Sequence, residues 1–274
     1  MAATPAGHVP LSVLLRGWRR WWRREPPFDA AEWEALLARS PLLAGLDPPA
    51  RERLRGLAAH FLERQAITPA QGLVLEAGDR LALAAHACLP LLRFGEGGLR
   101  GWSQVIVHPG AFRVEQGRHG APHDMDALEV VHEGFEDREG ESWEHGPMVL
   151  SWADLEAEML APEPGYQLVV HEMAHKLDGL DGLMDGTPPL PRDWQRQWAL
   201  DFGAAFAAIN AELDADPEAE TAIDAYAAEA PEEFFAVASE YHFTAPAVLR
   251  AAYPAVADHL ERFYGPPPRL APPA

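Results

Sequence analysis

His171-Glu172-Met173-Ala174-His175 is the stretch on which the reading of this chain turns, and it lies inside the run QLVVHEMAHKLD from Gln167 to Asp178. In a helix, residues four apart share a face one turn apart, so the two imidazoles project side by side and can grip one metal ion. Glu172 follows the first histidine and points toward the place where a water on that metal would sit, within reach of its proton. Leu168, Val169 and Val170 mark the helix as mostly buried, Pro164-Gly165 precedes it and Gly179 offers a stop. A buried helix carrying His, Glu and His must satisfy those polar groups.

A catalytic zinc needs a third protein ligand and an open position. Carboxylates come from a second predicted helix, Pro231 to Phe243, in which Pro231 takes the favoured first position and Glu233 and Glu240 share a face two turns apart. Phe234, Phe235, Val237 and Tyr241 alternate with these acids and imply a buried side. Either Glu233 or Glu240 could reach the metal, and spacing alone does not choose between them. Asp178, three residues after His175, and Glu240 are candidates to hydrogen-bond a ligand histidine. His132, His145 and His242 lack partners at ligand spacing and read as structural or exposed, and Lys176, directly after the motif, reads as solvated.

Outward from the motif, the first third is helical: Ala30 to Arg39 with Trp33, Leu36 and Leu37 on one face, Arg51 to Ile67, and Arg80 to about Leu92. Cys88 falls on the apolar side of the last of these and reads as a small core residue. Gly95-Glu96-Gly97-Gly98 lacks the spacing of a dinucleotide loop and the Gly-Lys of a phosphate loop, and reads as a turn before a strand. Short strands are expected at Gln104–Val107, Phe112–Val114 and Met148–Leu150. The pattern is that of an α+β domain with a mixed or antiparallel sheet, followed by a further helix at Trp194 to Leu213.

Composition excludes several classes of function. The 274 residues carry 42 acidic against 22 basic side chains, a net charge of −20, which argues against a phosphate-binding surface and hence against nucleic acid. One cysteine rules out an internal disulfide or a Cys-based zinc ribbon. No apolar run reaches the ~18 to 20 residues of a membrane span, and no secretory leader is evident, so a cytoplasmic protein is expected. Residues 1–27 read as a basic arm in which five Arg alternate with Trp18, Trp21 and Trp22 between Arg16 and Arg24. Residues 28–264 read as a single domain, helical to about residue 95 and carrying the site thereafter, and 265–274 as a Pro-rich tail without structure. The acidic excess peaks between Asp124 and Glu163, where thirteen acids face one Arg.

The segments HEMAHKLD (171–178), IDAYAA (223–228), PEEFFAV (231–237), SEYHFTAP (239–246) and GPMVLSW (146–152) resemble the Mlc titration factor A family of zinc-dependent, glucose-regulated metallopeptidases. The likeness runs from roughly Trp33 to Tyr264. It implies a zincin-like fold similar to the catalytic domain of anthrax lethal factor, with an added N-terminal helical part. It further implies Zn2+ bound by His171, His175 and Glu233, Glu172 as general base, and Tyr226 as a hydrogen-bond donor to the transition state. The implied substrate is a peptide or protein, cut internally or from its end, and the implied partner is an Mlc-like transcriptional repressor. The alternative is a non-catalytic or dual-role binding protein that sequesters such a repressor.

Overall fold

The computed structural model describes residues 26–110 and 146–270. The basic arm up to Arg24, the strand expected at Phe112–Val114, His132, His145 and most of the acidic segment fall outside those residues. Among the described residues ten α-helices and three strands follow in order: α1 (Ala30–Arg39), α2 (Pro41–Ala44), α3 (Pro48–Arg64), β1 (Ala66–Pro69), α4 (Ala77–Cys88), β2 (Gln104–His108), β3 (Met148–Ser151), α5 (Trp152–Leu160), α6 (Leu168–Asp178), α7 (Arg192–Ala215), α8 (Pro231–Thr244), α9 (Pro246–Ala252) and α10 (Pro254–Tyr264).

Local chemistry accounts for these boundaries. Asp29 and Glu32 form a reciprocal capping box that starts α1, and Asp47 accepts from Ala50 N to start α3 behind two prolines. The helix expected to run through Ile67 ends at Arg64, because Gln65 turns extended and the chain enters β1. The third helix starts earlier than expected, at Ala77, and ends at Cys88 in a 3-10 turn over Leu89–Leu91. The Gly-rich run is another 3-10 turn, Gly95–Leu99, in which a Cβ at Gly98 would lie 2.3 Å from the Leu91 side chain, so glycine permits the close packing there. Cys88 is fully buried and free.

The sheet differs from expectation. Its order is β1-β2-β3 and both pairings are parallel, with Ile67 opposite Val105 and Val107 opposite Leu150. Parallel neighbours need a crossover connection, and α4 supplies one between β1 and β2. Val105, Val107, Met148 and Leu150 are wholly buried, which suits a sheet covered by helices. The helices α3 and α4 pack together, and α4 also meets α6. On the other side of α8 lies an aromatic layer: Trp198 of α7 stacks on Phe202 with centroids 4.0 Å apart and meets Phe235 and Phe263 at 5.6 Å. The motif helix α6 is thus held between the α3–α4 layer and α8. Beyond α10 no helix or strand forms through Leu270, although Arg269 N donates to Gly45 O at 3.2 Å.

Candidate active site

The motif helix begins one residue after the Gln167 start expected and ends at Asp178 as expected, and its opening turn is completed from outside. Glu158 of α5 accepts from Leu168 N at 2.8 Å, and Glu240 of α8 accepts from Gln167 N at 2.5 Å. Two carboxylates therefore take up backbone donors that a helix start leaves unpaired, and their charge suits the positive end of the helix dipole. The preceding Pro164-Gly165 turn is docked on α8 as well. Gly165 N donates to Thr244 Oγ1 at 2.8 Å, and its φ of +80° against the Tyr241 ring leaves no room for a side chain.

At the centre, three ligand-type atoms converge. His175 Nε2 is 3.1 Å from His171 Nε2, His171 Nε2 is 3.1 Å from Glu233 Oε2, and His175 Nε2 is 3.5 Å from the same oxygen. Tetrahedral zinc with bonds of ~2.0 to 2.2 Å holds its ligand atoms ~3.3 to 3.6 Å apart, so this triangle is close to the size the ion requires. Glu233 Oε2 is moreover buried and, among the described residues, accepts no aligned hydrogen bond despite those two short approaches. A buried carboxylate oxygen in that condition is a costly feature unless something positive meets it. The donor set and its spacing therefore fit a zinc ion.

Glu240 is distinguished from Glu233 by which imidazole nitrogen it meets. Its Oε1 accepts the His171 Nδ1–H hydrogen bond at 2.8 Å, which leaves Nε2 as the nitrogen facing His175 and Glu233. Once Nε2 gives up its own proton, this leaves the tautomer a metal ligand needs. Burial acts to lower the His171 pKa, but the carboxylates of Glu233 and Glu240 outweigh it and hold the imidazole well above its ordinary value. Glu233 responds in the opposite sense: burial pushes it up, the two imidazoles pull harder, and it is lowered to about 2.

Tyr226 arrives on a 3-10 turn, Ala225–Ala228, started by Asp224, whose Oδ1 accepts from Tyr226 N at 2.9 Å. Tyr166 OH, beside the start of α6, donates to the other Asp224 oxygen at 2.9 Å and ties that turn to the motif helix. The Tyr226 ring lies 6.1 Å from the His171 ring, and burial, then the charges of Glu233 and Glu172, push its phenol up. Glu172 is partly exposed on α6, and its charge reaches His171, Tyr226 and Lys176. The five residues singled out from the sequence, His171, Glu172, His175, Tyr226 and Glu233, are thus gathered at one place, with Glu240 behind them.

The other expectations fare differently. Asp178 binds neither imidazole; its Oδ2 accepts from Gly186 N at 2.8 Å instead, and His175 Nδ1 has no hydrogen-bond partner among the described residues. Lys176 is half-buried, donates to Gly146 O at 2.9 Å and lies 6.0 Å over the Trp102 ring, so it anchors the chain entering β3 where a solvated role was expected. His242 is buried and structural, and burial lowers its pKa to about 3. Tyr166, Asp224 and Glu158 were not anticipated. Their partners lie 10 to 58 residues away, and no local pattern signals such pairs.

Residues 15–265 match the glucose-regulated metallo-peptidase M90 family. The chain belongs to that family. Among named relatives it is 37% identical over 246 residues to Mlc titration factor A of Serratia proteamaculans (strain 568), covering 89% of this chain and 90% of that one. The Mlc titration factor A proteins of Yersinia pestis (strain Pestoides F) and Yersinia pseudotuberculosis serotype O:1b (strain IP 31758) are also 37% identical over 246 residues, covering 88% of each relative. Membership makes the chain a metallopeptidase and accords with the His171, His175 and Glu233 group that could hold a metal. Among the described residues no helix is long and apolar enough to cross a membrane.

Proposed function

We propose that the chain is a zinc-dependent peptidase in which His171, His175 and Glu233 hold the ion, Glu172 is the general base and Tyr226 stabilises the transition state. The observation that carries this reading is the triangle of His171 Nε2, His175 Nε2 and Glu233 Oε2, with sides of 3.1, 3.1 and 3.5 Å around a buried carboxylate oxygen that has no aligned hydrogen bond among the described residues. When bound, zinc supplies a Lewis acid and brings the pKa of water from ~15.7 toward ~7.

The residues around it do the rest. Glu172, one position beyond His171 and partly exposed, takes a proton from the attacking water and returns it to the leaving amine. Tyr226, its phenol kept protonated by burial and the neighbouring carboxylates, donates to the oxygen on which negative charge develops. Glu240 holds the proton on His171 Nδ1 throughout. The zincin-like architecture inferred from the resemblance belongs to this reading.

The test combines metal content with proteolysis. The parent protein and Glu172→Gln should each bind one zinc, the variant should cleave a peptide panel at a small fraction of the parent rate, and His171→Ala or Glu233→Ala should lose the metal. Equal cleavage by Glu172→Gln would remove the base assignment. The relatives' name supports an Mlc-like repressor as partner, and the encounter with a transcriptional repressor would then be cytoplasmic. Capture of such a repressor by Glu172→Gln without its cleavage would separate a binding surface from the catalytic one. The −20 charge supports a preference for basic or neutral peptides, tested by matched Lys-rich and Glu-rich substrates at low salt.

A further inference from the structure

Asp178 ends the motif helix three residues beyond His175 and is fully buried. Its Oδ2 accepts from Gly186 N at 2.8 Å, and its Oδ1 has no hydrogen-bond partner among the described residues. Gly186, at φ +77°, is pressed against the opening turn of α8: a Cβ there would stand 2.4 Å from the Pro231 carbonyl oxygen and 2.8 Å from its carbon. Pro231 is two residues before Glu233. Trp198 Nε1 donates to Gly186 O at 2.9 Å, so both backbone polar atoms of this glycine are held, and the same indole packs edge-on against Phe235 of α8.

We propose that Asp178, Gly186 and Pro231 form a strut that sets the separation between the two helices carrying the metal ligands, which makes Asp178 a positioning residue for the Glu233 carboxylate. The inference rests on His171, His175 and Glu233 being the ligand set. Metal sites tolerate ligand displacements of only ~0.2 Å, and a backbone-to-backbone contact such as Gly186 on Pro231 is stiff enough to hold that tolerance. A free side chain is not. What the strut asks of Asp178 is an acceptor for Gly186 N–H and not a charge. Burial has in fact pushed this carboxyl up to about 7, so both of its protonation states are populated near neutrality, and either accepts.

The acceptor requirement separates two substitutions. Asp178→Asn keeps an oxygen for Gly186 N–H and should leave zinc affinity within about threefold of the parent, whereas Asp178→Ala should lower it ~10- to 100-fold, the range for residues that orient ligands from behind. Gly186→Ala leaves Asp178 intact but drives a methyl into the Pro231 carbonyl, and should show a similar loss. Each protein is titrated with zinc against a chromophoric chelator at a temperature where circular dichroism reports it folded. A role confined to stability would lower the melting temperature of Asp178→Ala without changing the affinity of the folded protein, and that result overturns the strut. So does an Asp178→Asn protein as impaired as Asp178→Ala, which would point to charge. If Asp178→Ala does not fold, Gly186→Ala binding as tightly as the parent is the refuting outcome. A parent protein that takes up no zinc refutes the ligand assignment itself, a result distinct from unequal variants of a parent that does.

Discussion

In a Glu240→Gln protein one of two hydrogen bonds has to be lost. The carboxylate accepts from His171 Nδ1 with one oxygen and from Gln167 N with the other. A glutamine has a single oxygen, and its amide nitrogen, whichever way it turns, confronts an N–H donor. If the oxygen stays with Gln167, His171 loses the acceptor that holds its proton on Nδ1, and the proton can move to Nε2, the nitrogen needed for the metal. If it stays with His171, the opening turn of α6 keeps a buried donor without an acceptor. The second outcome costs about 1 to 3 kcal/mol, whereas in the first the shifted tautomer accepts from the amide nitrogen and the loss is felt when the metal competes for Nε2. Where the loss falls on the histidine, zinc affinity should drop ~10- to 100-fold, or about 1.4 to 2.7 kcal/mol. Where it falls on the helix, the metal-free protein should melt several degrees lower. Competition with a chelator and thermal unfolding of the metal-free protein read the two branches separately. A Glu240→Gln protein equal to the parent in both would refute the reasoning, since no arrangement of a glutamine satisfies both donors.

Tyr226→Phe should bind zinc as the parent does, with little change in KM and a kcat ~100- to 1,000-fold lower, in steady-state assays on a peptide the parent cleaves. Because His171 is held protonated well above its ordinary value in the metal-free site, zinc uptake at pH 7 should expel a proton and weaken as pH falls. Calorimetric binding enthalpies that do not vary with buffer ionisation enthalpy would contradict this. Asp178, raised from 3.8 to about 7 chiefly by burial, binds its proton more tightly folded than unfolded, so its contribution to stability is present below about 3.8 and is lost as pH rises through about 7. Asp178→Asn should accordingly gain stability over the parent at pH 8, by a few kcal/mol at most, and gain none near pH 3; parallel denaturant curves at both pH values would expose the error. Gly165→Ala forces a methyl to 2.4 Å from the Tyr241 ring at positive φ, and should destabilise by about 1 to 3 kcal/mol in the same measurement.

The parts of the site legible in the sequence are those whose signal is local. His171 and His175 declare a shared face by their spacing, and the apolar residues around them declare the helix. Glu233 and Glu240 also share a face by spacing, and for that reason spacing could not assign them. In the fold one meets Nε2 of His171 and the other meets Nδ1, a distinction made only when α8 lies against α6. The parallel sheet is not legible in the sequence for a related reason. β1 is four residues long, begins just after a 17-residue helix, and none of its residues is fully buried, so it shows neither length nor apolar alternation. Its parallel pairing depends on α4 crossing over, which no residue of the strand encodes. Gly186 reads in sequence as one more turn glycine, and only the Pro231 carbonyl beside it reveals why a side chain is barred.

Glu240 has one further consequence, in the order of synthesis. The motif helix is complete on the nascent chain more than fifty residues before Glu233 and Glu240 are added. Until α8 arrives, Gln167 N has no carboxylate, His171 Nδ1 has no acceptor, and the two imidazoles have no third ligand. One docking event supplies all three. A half-made chain therefore carries a pair of histidines but no hydrolytic centre, and the capacity to cut peptides emerges only when the domain that confines it has closed.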